Sequence, residues 1–223
     1  LDIPLEPDLS PAENAQSYYR SYRKARTAAE HLGAELEKGA NELAYLASAL
    51  DALGRARTPS ELDEIREELA ASGYLRALPK GKGEKQKGDR QEKLPPRRFE
   101  LEGFEILVGR NNRQNDRLTT KQADKRDIWL HTQKIHGAHV ILWAQGQEPD
   151  AQSLTEAAML AAYYSQAKDG KNVPVDYTPI KYVHKPNGAR PGMVIYTDQQ
   201  TIFVTPDEAA VEAMLTHTEA PQD

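Results

Sequence analysis

The chain has 223 residues, of which 39% are hydrophobic and 28% are charged, with a formal net charge of −5 and no cysteine. These values are typical of folded soluble proteins, and the lack of cysteine excludes disulfides, thiolate nucleophiles and Cys-ligated zinc. No stretch approaches the roughly 18 apolar residues of a membrane span and no signal-peptide pattern occurs, so we expect a cytoplasmic protein without a membrane partner. Because the chain begins at Leu1 rather than Met, we also expect a further N-terminal portion.

Charge is segregated along the chain. Residues 1–75 carry 8 basic and 14 acidic groups, whereas residues 76–96 carry 7 and 3 and residues 97–205 carry 14 and 12. Residues 206–223 carry 5 acidic groups and no basic one. An anionic partner is therefore expected to meet the middle of the chain rather than its ends.

Two helix-start signals define the first part of the chain, residues 1–78. Ser10-Pro11-Ala12-Glu13 and Thr58-Pro59-Ser60-Glu61 each combine a hydroxyl cap, a proline at the first helical position and a carboxylate at the third. From position 15 to position 53, apolar or small residues recur at alternating spacings of three and four, which predicts a coiled-coil helix of about 40 residues. We expect the second helix to end near Gly73 and to fold back over the leucine-rich end of this seam, which makes a helical hairpin.

The first half of the seam, positions 15–36, extends beyond the reach of the short second helix. Its apolar face then needs a partner, which the missing N-terminal region, a second copy in a homodimer or another molecule would supply. Alternatively, the long helix is only a spacer between two domains.

The rest of the chain divides into a linker, a domain and a tail. Residues 79–96 are rich in Lys and Gly without aliphatic side chains in their centre, which is typical of a flexible linker, although the lysines could also contact phosphates. Residues 97–215 alternate short β-branched or aromatic runs with two capped helices, which favours a compact α+β domain. Strands are predicted at 99–108, 127–132, 138–143, 178–184, 193–196 and 201–205, helices at 153–168 and from 205, and an acidic tail at 216–223.

A row of basic residues is the strongest candidate binding feature. If residues 111–125 are helical, Arg113, Arg117, Lys121 and Lys125 fall on one face at i, i+4, i+8 and i+12. Like charges at this spacing destabilise a helix, so an anion that neutralises them would explain the row, and guanidinium groups suit phosphate. The alternative is a solvated face screened by nearby acids. Further candidates for nucleic-acid binding flank this row or the turn at Asn187-Gly188: Arg110, Lys181, Lys185 and Arg190.

Other residues that carry chemistry give weaker signals. His131, His136 and His139 could bind a metal or transfer protons, but no HExxH pattern supports a metal-dependent hydrolase. Trp129 and Trp143 could stack on bases, but aromatic residues on strands more often pack in a core. No nucleophile elbow, Walker loop or dinucleotide fingerprint occurs, so we expect no enzyme, no catalytic residue, no metal and no cofactor.

Short strings along nearly the whole chain form a recognisable combination: Ser10 to Gln16 with Tyr18-Tyr19, Gly73 to Leu75, Gly109 to Asn112, Asp127 to His131, Gly137 to Val140, Ala161 to Ser165, Val175 to Thr178, Lys185 to Gly192 and Thr201 to Pro206. Together these strings resemble the C-terminal half of the NFACT family, the RqcH-type ribosome quality-control factors of bacteria, long labelled fibronectin-binding proteins.

This resemblance implies a coiled-coil middle region followed by an RNA-binding NFACT-R domain. It also implies partners, namely the large ribosomal subunit with its rRNA and peptidyl-tRNA, and a role in adding alanine tails to stalled chains. The family often has proline where this chain has His136, which weakens a functional histidine triad. A fibronectin-binding surface adhesin is the rival that the older label suggests.

Overall fold

The computed structural model describes residues 2–76, 94–101 and 103–219. Contacts divide the chain into two compact units, Leu1–Ala44 and Tyr45–Asp223. Within the described ranges, no helix is both long and apolar enough to cross a membrane. Residues 79–93 of the predicted linker and residues 220–223 of the predicted acidic tail lie outside the described residues.

The first unit consists of an N-terminal segment and most of a single long helix, α1 (Pro11–Arg55). The predicted cap is present, since the Ser10 backbone N–H donates to the Glu13 carboxylate at 2.8 Å and Ser10 Oγ accepts from the Glu13 N–H at 3.3 Å. Buried Asn14 ties the preceding segment to the helix by accepting from the Glu6 N–H at 2.8 Å. The seam side chains Tyr18 and Leu32 are exposed in the described chain, so the identity of a coiled-coil partner stays a prediction.

The last turns of α1 pair with α2 (Pro59–Ala71) at the start of the second unit. Tyr45, Ala49 and Ala52 are buried on α1, as is Ile65 on α2. The predicted cover of the leucine-rich seam is wrong, because Leu43, Leu46, Leu50 and Leu53 all remain exposed, at 37–70%. The side of α1 that carries Tyr45, Ala49 and Ala52 lies inward instead, and Tyr45 Oη donates to Glu68 of α2 at 2.9 Å.

A six-stranded antiparallel sheet forms the body of the second unit, with the strand order β1-β2-β4-β3-β5-β8. A separate two-stranded ribbon pairs β6 with β7. The strands are β1 (Arg97–Leu101), β2 (Phe104–Val108), β3 (Ile128–Thr132), β4 (Val140–Trp143), β5 (Val173–Pro179), β6 (Val183–His184), β7 (Ile195–Tyr196) and β8 (Gln200–Val204). The helices of this region are α3 (Asn112–Arg117), α4 (Ala151–Tyr163) and α5 (Glu208–Glu219).

The two faces of the sheet carry different cores. Leu130 and Leu142 belong to a large cluster shared with α4 and α5. Trp129 and Ile141, which are register partners on β3 and β4, point to the other face and pack with Leu118. The alternation along each strand therefore sorts side chains between two helices on one face and the α3 segment with the ribbon on the other.

The architecture is mixed α+β with a long N-terminal helix and an antiparallel sheet. Several local predictions differ from the structure. The helix expected at 153–168 begins at Ala151 and ends at Tyr163. The single strand expected at 99–108 is a hairpin that turns at Gly103, whose φ is +86°. The strand expected at 178–184 begins earlier, at Val173, and gives way to a 3₁₀ turn at Ile180–Tyr182. The last helix continues to Glu219, into the segment predicted as the tail.

Candidate nucleic-acid interface

The basic row lies on α3 and the π-helical turn that follows it. Asn111 caps α3 by accepting from the Gln114 N–H, and the α-helical register ends at Arg117. Residues Leu118–Gln122 form a π-helical turn that closes with a bond of 3.0 Å from the Ala123 N–H to the Leu118 carbonyl. The expectation of one α-helix through residue 125 is therefore wrong, and Lys125 lies beyond the helix.

The π turn has a packing cause. Leu118 and Thr119 are consecutive, yet both are buried against the sheet. Leu118 joins the Trp129 cluster, while Thr119 Oγ1 lies 2.7 Å from His139 Nδ1. The wider turn admits two adjacent inward residues, at the expense of the regular i, i+4 spacing of the row.

Three members of the row line one cleft of about 300 Å³, and we call this set, Arg113, Arg117 and Lys121, the cationic cleft. Arg113 lies 3.9 Å from the exposed carboxylate of Glu67. Neither Arg117 nor Lys121 forms an ion pair with any residue that the structure describes, and both are exposed. The same cleft is also lined by the carboxylates of Glu64, Glu67 and Asp116. Glu67 faces Arg113 and Asp116 pairs with Lys185, so Arg117 and Lys121 are the cleft cations available to an external phosphate.

Lys125, at the end of the row, and Lys181 form a second pair of exposed lysines. The Lys181 N–H donates to the carbonyl of Lys125 at 3.2 Å, so the two backbones are adjacent. The Lys181 ammonium lies 4.7 Å from the ring centroid of Tyr182. Both lysine side chains are exposed and thus available to solvent anions.

The other three predicted cations bind within the protein. Arg110 Nη1 donates to Glu61 Oε1 at 2.6 Å, and Lys185 Nζ donates to Asp116 Oδ1 at 2.6 Å. The Arg190 guanidinium lies over the rings of Tyr45 and Tyr74, at 5.6 and 5.4 Å from their centroids. These contacts give Arg110, Lys185 and Arg190 a structural explanation that requires no RNA.

An acidic face of α2 holds the loop that begins α3, and the sequence reasoning missed it. Its members, Glu61, Glu64 and Glu68, are spaced i, i+3 and i+7 on one helix face. Glu64 Oε2 accepts from Asn111 Nδ2 at 2.7 Å, and Glu68 Oε2 accepts from the Arg113 N–H at 3.2 Å. The spacing of these acids along one helix face is visible in the sequence, but it does not indicate which residues they contact.

The electrostatics of this acidic face differ between its two ends. Burial alone would raise the pKa of Glu61, but the Arg57 N–H and the guanidinium groups of Arg110 and Arg97 outweigh it, so that this pKa is lowered. Burial raises the pKa of Glu68 despite its hydrogen-bond donors. Glu61 is therefore ionised and paired with Arg97 and Arg110, whereas Glu68 is buried and caps the N-terminal end of α3.

Trp129, His131 and His139 pack against one another. Trp129 is 1% exposed, and its ring lies 5.6 Å from that of His131 and 5.3 Å from that of His139. Burial lowers the pKa of His131 to about 4 and that of His139 well below its usual value. In the parts of the chain that the structure describes, no three His, Asp or Glu side chains gather to hold a metal ion, so the hydrolase alternative lacks a centre there.

Two family models match the chain, and they meet between residues 88 and 97, whereas the contacts divide the chain after Ala44. Residues 1–88 match the family model described as NFACT N-terminal and middle domains, and residues 97–198 match the one described as NFACT protein RNA binding domain. These matches define the class: a chain with part of the NFACT N-terminal and middle domains followed by an NFACT RNA-binding domain. The chain belongs to the NFACT family.

Three relatives give the scale of the similarity. The chain is 46% identical to the Rqc2 homolog RqcH of Bacillus subtilis over 95% of its own length and 36% of that protein. It is 40% identical to the Streptococcus suis homolog over 96% of its length and 38% of that protein. A solved C-terminal structure of the fibronectin/fibrinogen-binding protein from Streptococcus suis superposes with a TM-score of 0.82 at 38% identity, over 93% of this chain and 81% of that one. The chain thus spans little more than a third of the length of these curated relatives.

Proposed function

We propose that this chain is an RNA-binding and ribosome-docking part of an RqcH-type quality-control factor. Its substrate would be the phosphate backbone of rRNA or tRNA, and its role is binding rather than catalysis. In the whole factor it would help to hold an obstructed large subunit carrying peptidyl-tRNA while alanine is added to the stalled chain. The relatives named Rqc2 homolog RqcH and the matched RNA-binding domain support this role.

The cationic cleft is the observation that carries the proposal. Arg113, Arg117 and Lys121 line one concave surface, and the latter two are left without a carboxylate partner among the described residues. The aromatic side chain nearest in sequence that could stack on a base, Trp129, is buried instead. Contacts to phosphates without base stacking predict binding that tolerates changes of sequence and weakens with salt.

The test is a triple substitution, Arg113→Gln with Arg117→Gln and Lys121→Gln, in the full 223-residue chain. Binding of a labelled RNA hairpin is measured against salt concentration. Losing three phosphate contacts should make the log–log salt slope shallower by about 2 to 3 and weaken binding at low salt. A matched control removes three cations that the fold already pairs with acids: Arg98, Arg126 and Lys168.

The comparison of the two triple variants decides the proposal because both lower the net charge by the same amount. A specific cleft predicts a large change for the first triple and a small one for the control. Equal changes in both would mean that RNA responds only to net charge, and the role proposed for the cleft would be wrong.

A further inference from the structure

The outer face of α1 carries a second group of cations, far along the chain from the cleft. Between Glu13 and Glu30 the helix contains Arg20, Arg23, Lys24 and Arg26 and no acidic residue. Among these, Arg26 pairs with Glu30 at 3.0 Å. Arg20, Arg23 and Lys24 form no ion pair with any residue in the described ranges, in a chain whose net charge is −5.

The positions of these side chains on the helix separate them from the apolar seam. At about 100° per residue, positions 20, 23, 24, 27 and 31 fall within one band, and seam positions 18, 22, 25 and 29 fall on the opposite side. We call Arg20, Arg23, Lys24 and His31 the outer stripe; with Thr27, Ala28 and Leu32 they line a shallow depression. A helix that occupies the seam would leave the outer stripe accessible.

The chemistry of the stripe fits a phosphate backbone better than a protein surface. A protein interface of ordinary stability has an apolar centre with aromatic or large aliphatic anchors. From Gln16 to His31 the outward positions hold Gln, Ser, Arg, Lys, Thr and His, and the one large apolar side chain that lines the depression is Leu32, a seam position. Arg20 and Arg23 carry guanidinium groups that suit phosphate oxygens, and Lys24 adds a third cation within about 6 Å along the helix axis. Contacts of this kind need no apolar centre.

The stripe also opposes the stability of its own helix. Arg20 and Lys24 are like charges at i, i+4, and Arg20 and Arg23 are like charges at i, i+3, spacings at which they repel. The neighbouring Arg26 is instead paired with the carboxylate of Glu30, one turn away. An external polyanion would neutralise Arg20, Arg23 and Lys24, which have no such ion pair among the described residues.

We infer that the outer stripe of α1 binds the phosphate backbone of RNA, as a second contact surface on the long helix. The inference rests on the proposed function and extends it to a surface that the RNA-binding domain, residues 97–198, does not include. RNA bound at both surfaces would be held by two independent sets of cations, so that loss of either set weakens binding without abolishing it.

The experiment compares single substitutions that change the net charge equally within one helix. In the full chain, Arg23→Gln removes an unpaired cation and Arg26→Gln removes one already paired with Glu30. Glutamine keeps a high helix propensity, and circular dichroism checks that helicity is retained. With a labelled RNA hairpin at low salt, Arg23→Gln should weaken binding several-fold, and Arg20→Gln with Arg23→Gln and Lys24→Gln should make the salt slope shallower by about 2 to 3.

The same titrations separate failure of this inference from failure of the proposed function. If the stripe triple binds like wild type while the cleft triple is weakened, the stripe does not contact RNA and the cleft stands. If the stripe triple is weakened and the cleft triple is not, the stripe stands and the role of the cleft fails. If wild type does not bind the hairpin, both fail.

A competition experiment addresses the other class of partner. Polyglutamate and unlabelled RNA are matched in charge concentration and compared as competitors for wild type and for the stripe triple. For wild type, unlabelled RNA should displace the labelled hairpin at a lower concentration than polyglutamate does. This difference should be smaller for the stripe triple. If polyglutamate competes as well as RNA for wild type and loses as much potency as RNA does in the stripe triple, the stripe has no preference for RNA and the inference is overturned.

Discussion

Glu68 of α2 accepts a hydrogen bond of 3.2 Å from the backbone N–H of Arg113, so a buried carboxylate caps the helix that carries the cationic cleft. The same carboxylate accepts from Tyr45 Oη at 2.9 Å and from Asn112 Nδ2 at 3.2 Å. A negative group at this position also interacts favourably with the N-terminal end of a helix. The contact between α2 and the start of α3 therefore fixes the orientation of the cleft residues.

Substitution of Glu68 tests whether this buried carboxylate stabilises the fold more than an exposed carboxylate does. Glu68→Gln places an amide N–H₂ among three hydrogen-bond donors, and we expect the free energy of unfolding to fall by roughly 2 to 3 kcal/mol. The control is Glu67→Gln, one residue away and exposed, for which we expect a change within about 0.5 kcal/mol. Urea denaturation midpoints measure both, and equal midpoints would contradict the role assigned to Glu68.

Gly109 is required by a close approach rather than by its backbone angles. A Cβ at this position would lie 2.0 Å from Asn115 Oδ1, and Asn115 is buried where its Oδ1 accepts from the His139 N–H at 3.1 Å. Gly109→Ala must displace that amide and leave a buried donor unpaired, and we expect a loss of roughly 2 kcal/mol or more.

A second glycine provides the control for this substitution. Gly54 lies within α1, and a methyl group added there would meet no atom within 4 Å. Gly54→Ala should therefore stabilise the chain by about 0.5 to 1 kcal/mol through helix propensity. The thermal unfolding midpoint should fall for Gly109→Ala and rise for Gly54→Ala. If both midpoints move in the same direction, the contact at Gly109 does not limit stability.

The sequence predicted what depends on local chemistry. The capping box of Thr58 and Glu61 forms as expected, because its partners are three residues apart. The helix expected to start at Ser153 instead has its cap at Asp150, whose side chain accepts from the Gln152 and Ser153 N–H groups. Both starts could be located to within a turn because caps are short-range features.

Features that depend on distant contacts could not be predicted in this way. The regular spacing of Arg113 and Arg117 was readable, but the π turn after them exists because Leu118 and Thr119 both pack on the sheet. Likewise, the Glu61 partner of Arg110 lies 49 residues away in the chain, so spacing alone could not show that Arg110 is neutralised.

Trp129 offers a test of packing against base stacking. The ring is 1% exposed and its Nε1 has no hydrogen-bond partner among the described residues. Trp129→Phe should lower the free energy of unfolding by roughly 1 to 3 kcal/mol through lost volume, and it should leave RNA affinity at fixed salt unchanged. Weaker RNA binding by a variant that remains folded would instead place this ring in the interface.

Histidine burial predicts how stability depends on pH. Burial lowers the pKa of His131 to about 4, below the value of about 6.5 expected in the unfolded chain. Between these values the unfolded state binds more protons, so stability is complete above pH 6.5 and declines as the pH falls toward 4. His139, whose pKa is lowered by burial and then by His131, acts in the same direction.

The contribution of His131 to the pH dependence of the unfolding free energy can be isolated by comparing wild type with His131→Gln. A shift from about 6.5 to about 4 corresponds to at most roughly 3 kcal/mol, lost gradually across that window. His131→Gln should flatten the pH dependence of the unfolding free energy between pH 4 and 6.5, whereas His184→Gln at an exposed position should not. Glu68 titrates with the opposite sign, since its raised pKa makes its contribution fall as the pH rises, but it is present in every variant and cancels in the comparison. Parallel curves for wild type and His131→Gln would mean that His131 titrates alike in the folded and unfolded chains.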